Sequence, residues 1–402
     1  MRVSVLVVFV VSALVWGCGD KKPEQPPGGG TVVPPSTQVD VEGVKKKLSD
    51  SLRKAADFIK SQRKPDGQVG GLPGVASTSV CALALATSPL KDEYKEFIEK
   101  STEFLLKFLK SDGSINDEQG YIVYKTSIVL SFLCRLPKSE KEKHAQQIAA
   151  MVDYLLKAQY WNEMAKEDLH NGGWGYDEKK KEPRSDMSNT SFVVQALHDA
   201  EVPKEHPVWK RVTLFVSRSQ NNPETNDLKI EGFKNTSDGG FRYGPKMTRS
   251  SVVIKNPDGT ESYPSYGAMT YAGLLSMIYA FVDKNDDRVK SAMNWIRRNY
   301  TLDENPGMSE RRYEPASKQG LFYYYMTLAK ALFHYGERYL LDSENNKHDW
   351  AAELVEKLVS LQKEDGSWVN ENDRWYESDP SLVTSYAIIA LSYASRALNE
   401  LK

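Results

Sequence analysis

Carboxylates and aromatic rings gather in the same short loops of this chain. Asp177, Asp186, Glu310, Glu314, Asp373, Glu377 and Asp379 fall in stretches that also carry Trp174, Tyr176, Tyr243, Tyr266 and Trp375, and the run Phe322 to Tyr325 is aromatic throughout. Two carboxyl groups facing each other across a cavity can serve as acid and as base or nucleophile on a glycosidic bond. Aromatic faces at the mouth of a cavity stack on sugars, isoprenoids or peptide side chains. Asp186 is the best catalytic candidate among the carboxylates because it immediately precedes an apolar helical pattern. The same position also suits a helix cap, in which the carboxylate only accepts backbone N–H groups. Four consecutive rings point all round a helix, so Tyr323, Tyr324 and Tyr325 join Trp174, Tyr176, Tyr243, Tyr266 and Trp375 as candidate ligand contacts.

The elements that must position these side chains recur. Thr78, Thr126, Thr190, Thr270, Thr327 and Thr384 each sit in a short apolar helix pattern such as TSVCALALA, TSFVVQALH or TSYAIIALS, at spacings of 48, 64, 80, 57 and 57 residues. Upstream of each lies a second amphipathic stretch, and between the two comes a turn, usually with Asp-Gly or Gly-Gly: KPDGQVGG, KSDGSI, NGGWGY, SDGGFRYG, KEDGSW. Each unit therefore reads as helix, glycine turn, helix. The threonine-bearing helices are apolar nearly all round and must be enclosed, whereas their partners keep a charged face. A unit that cannot bury its own apolar face stacks on its neighbours, and six such pairs can close into a ring. The expected fold is all-α, an α/α toroid of six helix pairs.

Lys and Arg number 53 against 54 Asp and Glu, with no long block of one sign, which disfavours a nucleic-acid partner. Residues 1–17 carry one Arg, an apolar run and a small residue before Cys18, the layout of an export signal. Residues 19 to 38 are rich in Pro, Gly and charge and read as a flexible tether. The expected organisation is a signal over 1–17, a tether over 18–41 and one helical domain over 42–402. Cys81 and Cys134 lie three and eight positions beyond their threonines, about 7.5 Å apart in height along adjacent helices, so no disulfide is expected between them.

Val15, Trp16 and Gly17 before Cys18 resemble the bacterial lipobox, with Trp16 the departure from its pattern. That resemblance implies an acylated Cys18, a lipid-anchored protein of the bacterial cell envelope and the membrane as a partner. Gln362, Gly366 and Trp368 stand in the Q-x-x-x-G-x-W order of squalene and oxidosqualene cyclase repeats. With the other turns, residues 42 to 398 resemble the terpenoid cyclase and protein prenyltransferase superfamily of α/α toroids, and within it the squalene-cyclase-like (prenyltransferase/squalene oxidase repeat) lipoproteins. The motif is complete in the last repeat alone. The D-x-D-D-T segment that carries the proton donor of the cyclases aligns with Asp186, Met187, Ser188, Asn189 and Thr190, so the donor position is Ser188. A serine hydroxyl is far too weak an acid to protonate an alkene. The Asp, Cys and His ligands that a zinc prenyltransferase needs have no counterpart, and His170, His198, His206 and His334 are scattered. No metal or cofactor is expected. The reading is a tethered toroid that binds a small molecule, glycan or isoprenoid in its central cleft without cyclising it; an enzyme using loop carboxylates on a glycan or lipid-derived substrate and an envelope scaffold are the alternatives.

Overall fold

The computed structural model describes residues 40–71, 75–177, 183–309 and 314–401. The signal, Cys18, nearly all of the tether, Glu310 and the insertion 178–182 lie outside the described residues.

Twelve helices form two concentric layers. The outer helices are α1 (Val41–Ser61), α3 (Lys95–Leu106), α6 (Ala145–Ala158), α8 (Pro207–Ser219), α10 (Asp287–Asn299) and α13 (Trp350–Leu361). The inner helices are α2 (Val75–Thr87), α4 (Ile122–Cys134), α7 (Met187–Asp199), α9 (Gly267–Tyr279), α12 (Leu321–Tyr335) and α14 (Pro380–Glu400). Inner helices pack in the order α2, α4, α7, α9, α12, α14 and back to α2, so the inner ring closes, and the last outer helix, α13, packs on the first, α1. Two short helices, α5 (Lys138–Lys143) and α11 (Glu314–Ser317), sit in connections. Two small antiparallel hairpins occupy insertions, β1 (Ile254–Lys255) with β2 (Glu261–Ser262) and β3 (Tyr339–Leu341) with β4 (Lys347–Asp349). Among the described residues these hairpins and a few isolated β-bridges are the departures from an all-helical layout.

The threonine register has a physical cause. In five repeats the threonine hydroxyl, inside the first turns of an inner helix, accepts the backbone N–H of the residue two beyond the turn glycine. The pairs are Val69 to Thr78 and Ile115 to Thr126, both 2.9 Å, and Trp174 to Thr190, Phe241 to Thr270 and Trp368 to Thr384, each 3.1 Å. A buried N–H must find an acceptor, and the threonine supplies it. Thr327 breaks the pattern. It lies two to three residues deeper in its helix and donates to the Tyr323 and Tyr324 carbonyls of that same helix.

The glycine turn also seats the next outer helix. Gly366 has φ +88°, and a Cβ there would stand 2.4 Å from the Lys54 carbonyl oxygen of α1. Gly172, at φ +90°, is pressed the same way against Arg211 of α8. At three of these turns a glutamine ends the outer helix and its amide bridges two elements. Gln362 donates to the Gly366 carbonyl at 2.9 Å and to Ser51 of α1 at 3.0 Å, which ties the last repeat to the first. Gln159 does the same to Gly172 and Val208, and Gln220 to Gly239 and Arg288. The motif that is complete once in the sequence is thus built three times. Longer loops between glutamine and glycine hide the other two.

Candidate functional site

The N-terminal ends of all six inner helices converge on one cavity of about 540 Å³. Ala76, Tyr124, Ser188, Ala268 and Leu382 line it, each two residues before the threonine of its repeat, and Tyr323 comes from the sixth. Those N-termini leave backbone N–H groups to satisfy, and the loop carboxylates do so. Asp177 accepts from Ile122 of α4 at 2.9 Å, Asp117 from Val75 of α2 at 2.9 Å, and Asp379 from Leu382 of α14 at 2.8 Å. Asn305 serves α9 through Ala268 at 2.9 Å. Glu377 serves α12, accepting from Tyr323 at 2.8 Å and from Phe322 at 3.3 Å.

Asp186 caps α7. Its carboxylate accepts the Asn189 backbone N–H at 2.9 Å and the Asn189 amide at 2.8 Å, and takes a further bond from the Tyr243 hydroxyl. It is almost wholly buried, and burial pushes its carboxyl up to about 6 against those bonds. Asp186 stands behind the cavity wall, reaching it through Tyr243, which is also bonded to Tyr176. Glu377 lines the cavity itself; burial pushes it up to about 7, opposed by Asn370 at 2.6 Å and the α12 N–H groups. Ser188 faces the cavity and shares a 3.2 Å hydrogen bond with the Tyr323 hydroxyl.

Of the eight aromatic candidates, Tyr176, Tyr243, Tyr266, Tyr323 and Trp375 line this cavity, and Trp174, Tyr324 and Tyr325 do not. Trp174 fills the turn between α6 and α7, its indole N–H donating to the Leu155 carbonyl at 2.8 Å, as Trp368 donates to Leu358. Tyr324 and Tyr325 are fully buried, their hydroxyls held by the Thr301 and Leu302 carbonyls at 2.7 and 2.6 Å. A helix enclosed by neighbours on most sides has a core nearly all round, so a single ring of the run, Tyr323, reaches open space. Asp186 and Tyr323 therefore approach one cavity, and Tyr324 and Tyr325 belong to the packing.

The sequence reading passed over several lining residues. Tyr124 shares with Ser188, already singled out as the donor position, the place two before the threonine, and Phe192 and Tyr386 lie two after it; the register already present in the chain could have found these three. Arg249 and Tyr121 come from connections without periodicity. The histidines hold structure: His206 caps α8, His170 accepts the Ser185 N–H at 3.1 Å, and His198 and His334 pack on Tyr279. Asp286 caps α10, and Cys81 and Cys134 are free thiols.

With this architecture in view, solved structures supply the class. A type II terpene cyclase, MstE from Scytonema, superposes with a TM-score of 0.51 at 14% identity, covering 88% of this chain and 99% of that one. A family 76 glycoside hydrolase from a bovine Bacteroides thetaiotaomicron strain gives 0.52 at 12% identity, over 87% of this chain and 77% of that one. By fold the chain is a terpenoid cyclase-like α/α toroid. In sequence it is similar to lanosterol synthase erg7A of Aspergillus fumigatus, 28% identical over 178 residues. That match takes in 41% of this chain and 22% of the synthase, so the synthase is several times longer than the region shared. No family model matches the chain.

Proposed function

We propose that the protein binds an elongated, largely apolar small molecule in the central cavity and does not cyclise it. The observation that carries this reading is the wall itself: aromatic rings of Tyr124, Phe192, Tyr266, Tyr323 and Tyr386, with Ser188 where a cyclase places its acid. MstE is solved with geranylgeranyl dihydroxybenzoate, its substrate, so this fold can house a chain of that kind. Neither the Ser188 hydroxyl nor the Tyr323 hydroxyl, which burial pushes up to about 12, can protonate an alkene. We further place the protein outside the cytoplasm, tethered through an acylated Cys18, on the strength of the residues preceding that cysteine. No helix among the described residues is long and apolar enough to cross a membrane.

Purified protein analysed by native mass spectrometry should carry, or take up from a polyprenol, one ligand that is lost on Tyr323→Ala. Incubation with squalene should yield no cyclic product. A cyclic triterpene above the protein-free control, lost in Asp186→Asn, would make Asp186 the acid and overturn the reading.

The second reading is a glycan-cleaving enzyme. Glu377 on the wall, held protonated to about 7, favours it, as do the glycoside hydrolases among the structural neighbours. Its partner Asp186 is withdrawn behind Tyr243, which weakens the pair. Release of reducing sugar that is abolished by Glu377→Gln would establish it.

A further inference from the structure

One guanidinium, that of Arg249, lines the aromatic cavity, and a second, that of Arg374, sits on Trp375, which lines it too. Arg249 lies over the Tyr243 ring, 4.6 Å from its centroid, and Arg374 over the Trp375 ring at 4.5 Å. They arrive from different insertions, Arg249 from the loop between Phe241 and α9, Arg374 from the 3-10 turn Arg374–Tyr376 ahead of α14. Both charges bear on the same buried Tyr266 hydroxyl, and the Arg249 charge repels that of Arg374. Among the described residues neither forms an ion pair with a carboxylate, in contrast to Arg218 with Asp227 and Arg338 with Asp349, each at 2.7 Å. The two carboxylates nearby are already engaged, Asp186 by Asn189 and Tyr243, Glu377 by α12 and Asn370. Like charges converging on an apolar opening raise the energy of the empty site. Stacking holds each guanidinium against its ring; Arg374 also donates to the Gln319 side-chain oxygen and Arg249 to the Tyr243 hydroxyl, and the other N–H groups of each five-donor fork are the ones an incoming oxyanion would take.

The rim around them is built at a conformational cost. Tyr121, Trp375 and Tyr376 are exposed aromatics on left-handed backbone, with φ of 55°, 60° and 63°. Non-glycine residues held in that region concentrate at ligand clamps. Met269, Leu382 and Phe192 contribute apolar surface to the wall of the same cavity.

Resting on the ligand-binding reading above, we propose that the ligand is an anionic amphiphile. Its phosphate or carboxylate head is held between Arg249 and Arg374, and its hydrocarbon chain lies along the aromatic wall that includes Phe192.

Calorimetric titration with dodecyl phosphate, dodecanoate and dodecanol, each below its micelle concentration, and with inorganic phosphate as a head without a tail, tests this. At least one of the two anionic amphiphiles should bind on the order of tenfold or more tightly than dodecanol, and added salt should reduce that advantage. Which anion binds better identifies the head. In Arg249→Gln/Arg374→Gln the advantage should vanish with dodecanol binding unchanged, and Arg249→Lys/Arg374→Lys should keep most of it. Thermal unfolding of each variant separates loss of charge from loss of fold. Dodecanol binding as tightly as both anions would overturn the anionic head and leave the ligand-binding reading standing. Inorganic phosphate binding as tightly as dodecyl phosphate would overturn the amphiphile. Failure of all the dodecyl compounds to bind would remove the apolar-chain reading itself.

Discussion

Glu377 illustrates how one side chain couples structure to pH. Burial raises its carboxyl from an ordinary 4.5 to about 7, so between those values the folded protein holds a proton that the unfolded chain releases. Stability from this group is full below about 4.5 and is lost as pH rises toward 7. Asp186 acts with the same sign, from 3.8 to about 6. The melting temperature of Glu377→Gln relative to the natural protein should therefore climb across that window, as read by circular dichroism; a constant difference would show that Glu377 does not titrate there. The tyrosine run divides just as sharply. Tyr324→Ala empties a fully buried site and should cost about 3–5 kcal/mol in denaturant unfolding. Tyr323→Ala should spare the fold and weaken ligand uptake, because its ring faces the cavity.

At the scale of the elements, the turn and the helix start are one device. Thr190→Val keeps the shape but leaves the Trp174 N–H buried without an acceptor, at a cost of about 1–3 kcal/mol. Thr327→Val removes bonds within its own helix alone and should cost at most about 1 kcal/mol. Equal losses in chemical denaturation would refute the threonine's role as turn acceptor. Gly366→Ala adds a Cβ against the Lys54 carbonyl on backbone at φ +88°, so a loss of about 1–3 kcal/mol is expected, visible as a lower denaturant midpoint with unchanged slope.

For the whole molecule, closure is the decisive event. α14 packs on both α12 and α2, and Gln362 of the last repeat bonds to Ser51 of the first, so residues 311 apart in sequence complete one ring. The cavity exists because six helix N-termini are brought to one place, and no single repeat contains it. The proposed tether belongs to this scale too. Cys18→Ser should move the protein from the membrane to the soluble fraction in a producing bacterium, and an unmodified N-terminal peptide at Cys18 in mass spectrometry would sink the proposal.

The chain alone determined the repeat, the alternation of enclosed and half-exposed helices, the glycine turns and hence the closed α/α architecture. These are local matters, written as apolar periodicity and as residues that tolerate left-handed backbone. It also placed Asp186 at a helix start, and Tyr176, Tyr243, Tyr266 and Trp375 near the end of the ring where the cavity forms. Which ring faces open space was decided by tertiary structure. Tyr323, Tyr324 and Tyr325 are alike in sequence, and neighbours on either side of α12 leave room beside one of them. Gln159 and Gln220 could not be matched to their glycines by spacing, since loop length is free where the bond geometry is not. Arg249 and Arg374 come within electrostatic reach of each other and of Tyr266 for the same reason: insertions from separate repeats carry no periodic signal, and closure of the ring brings them to one end of it.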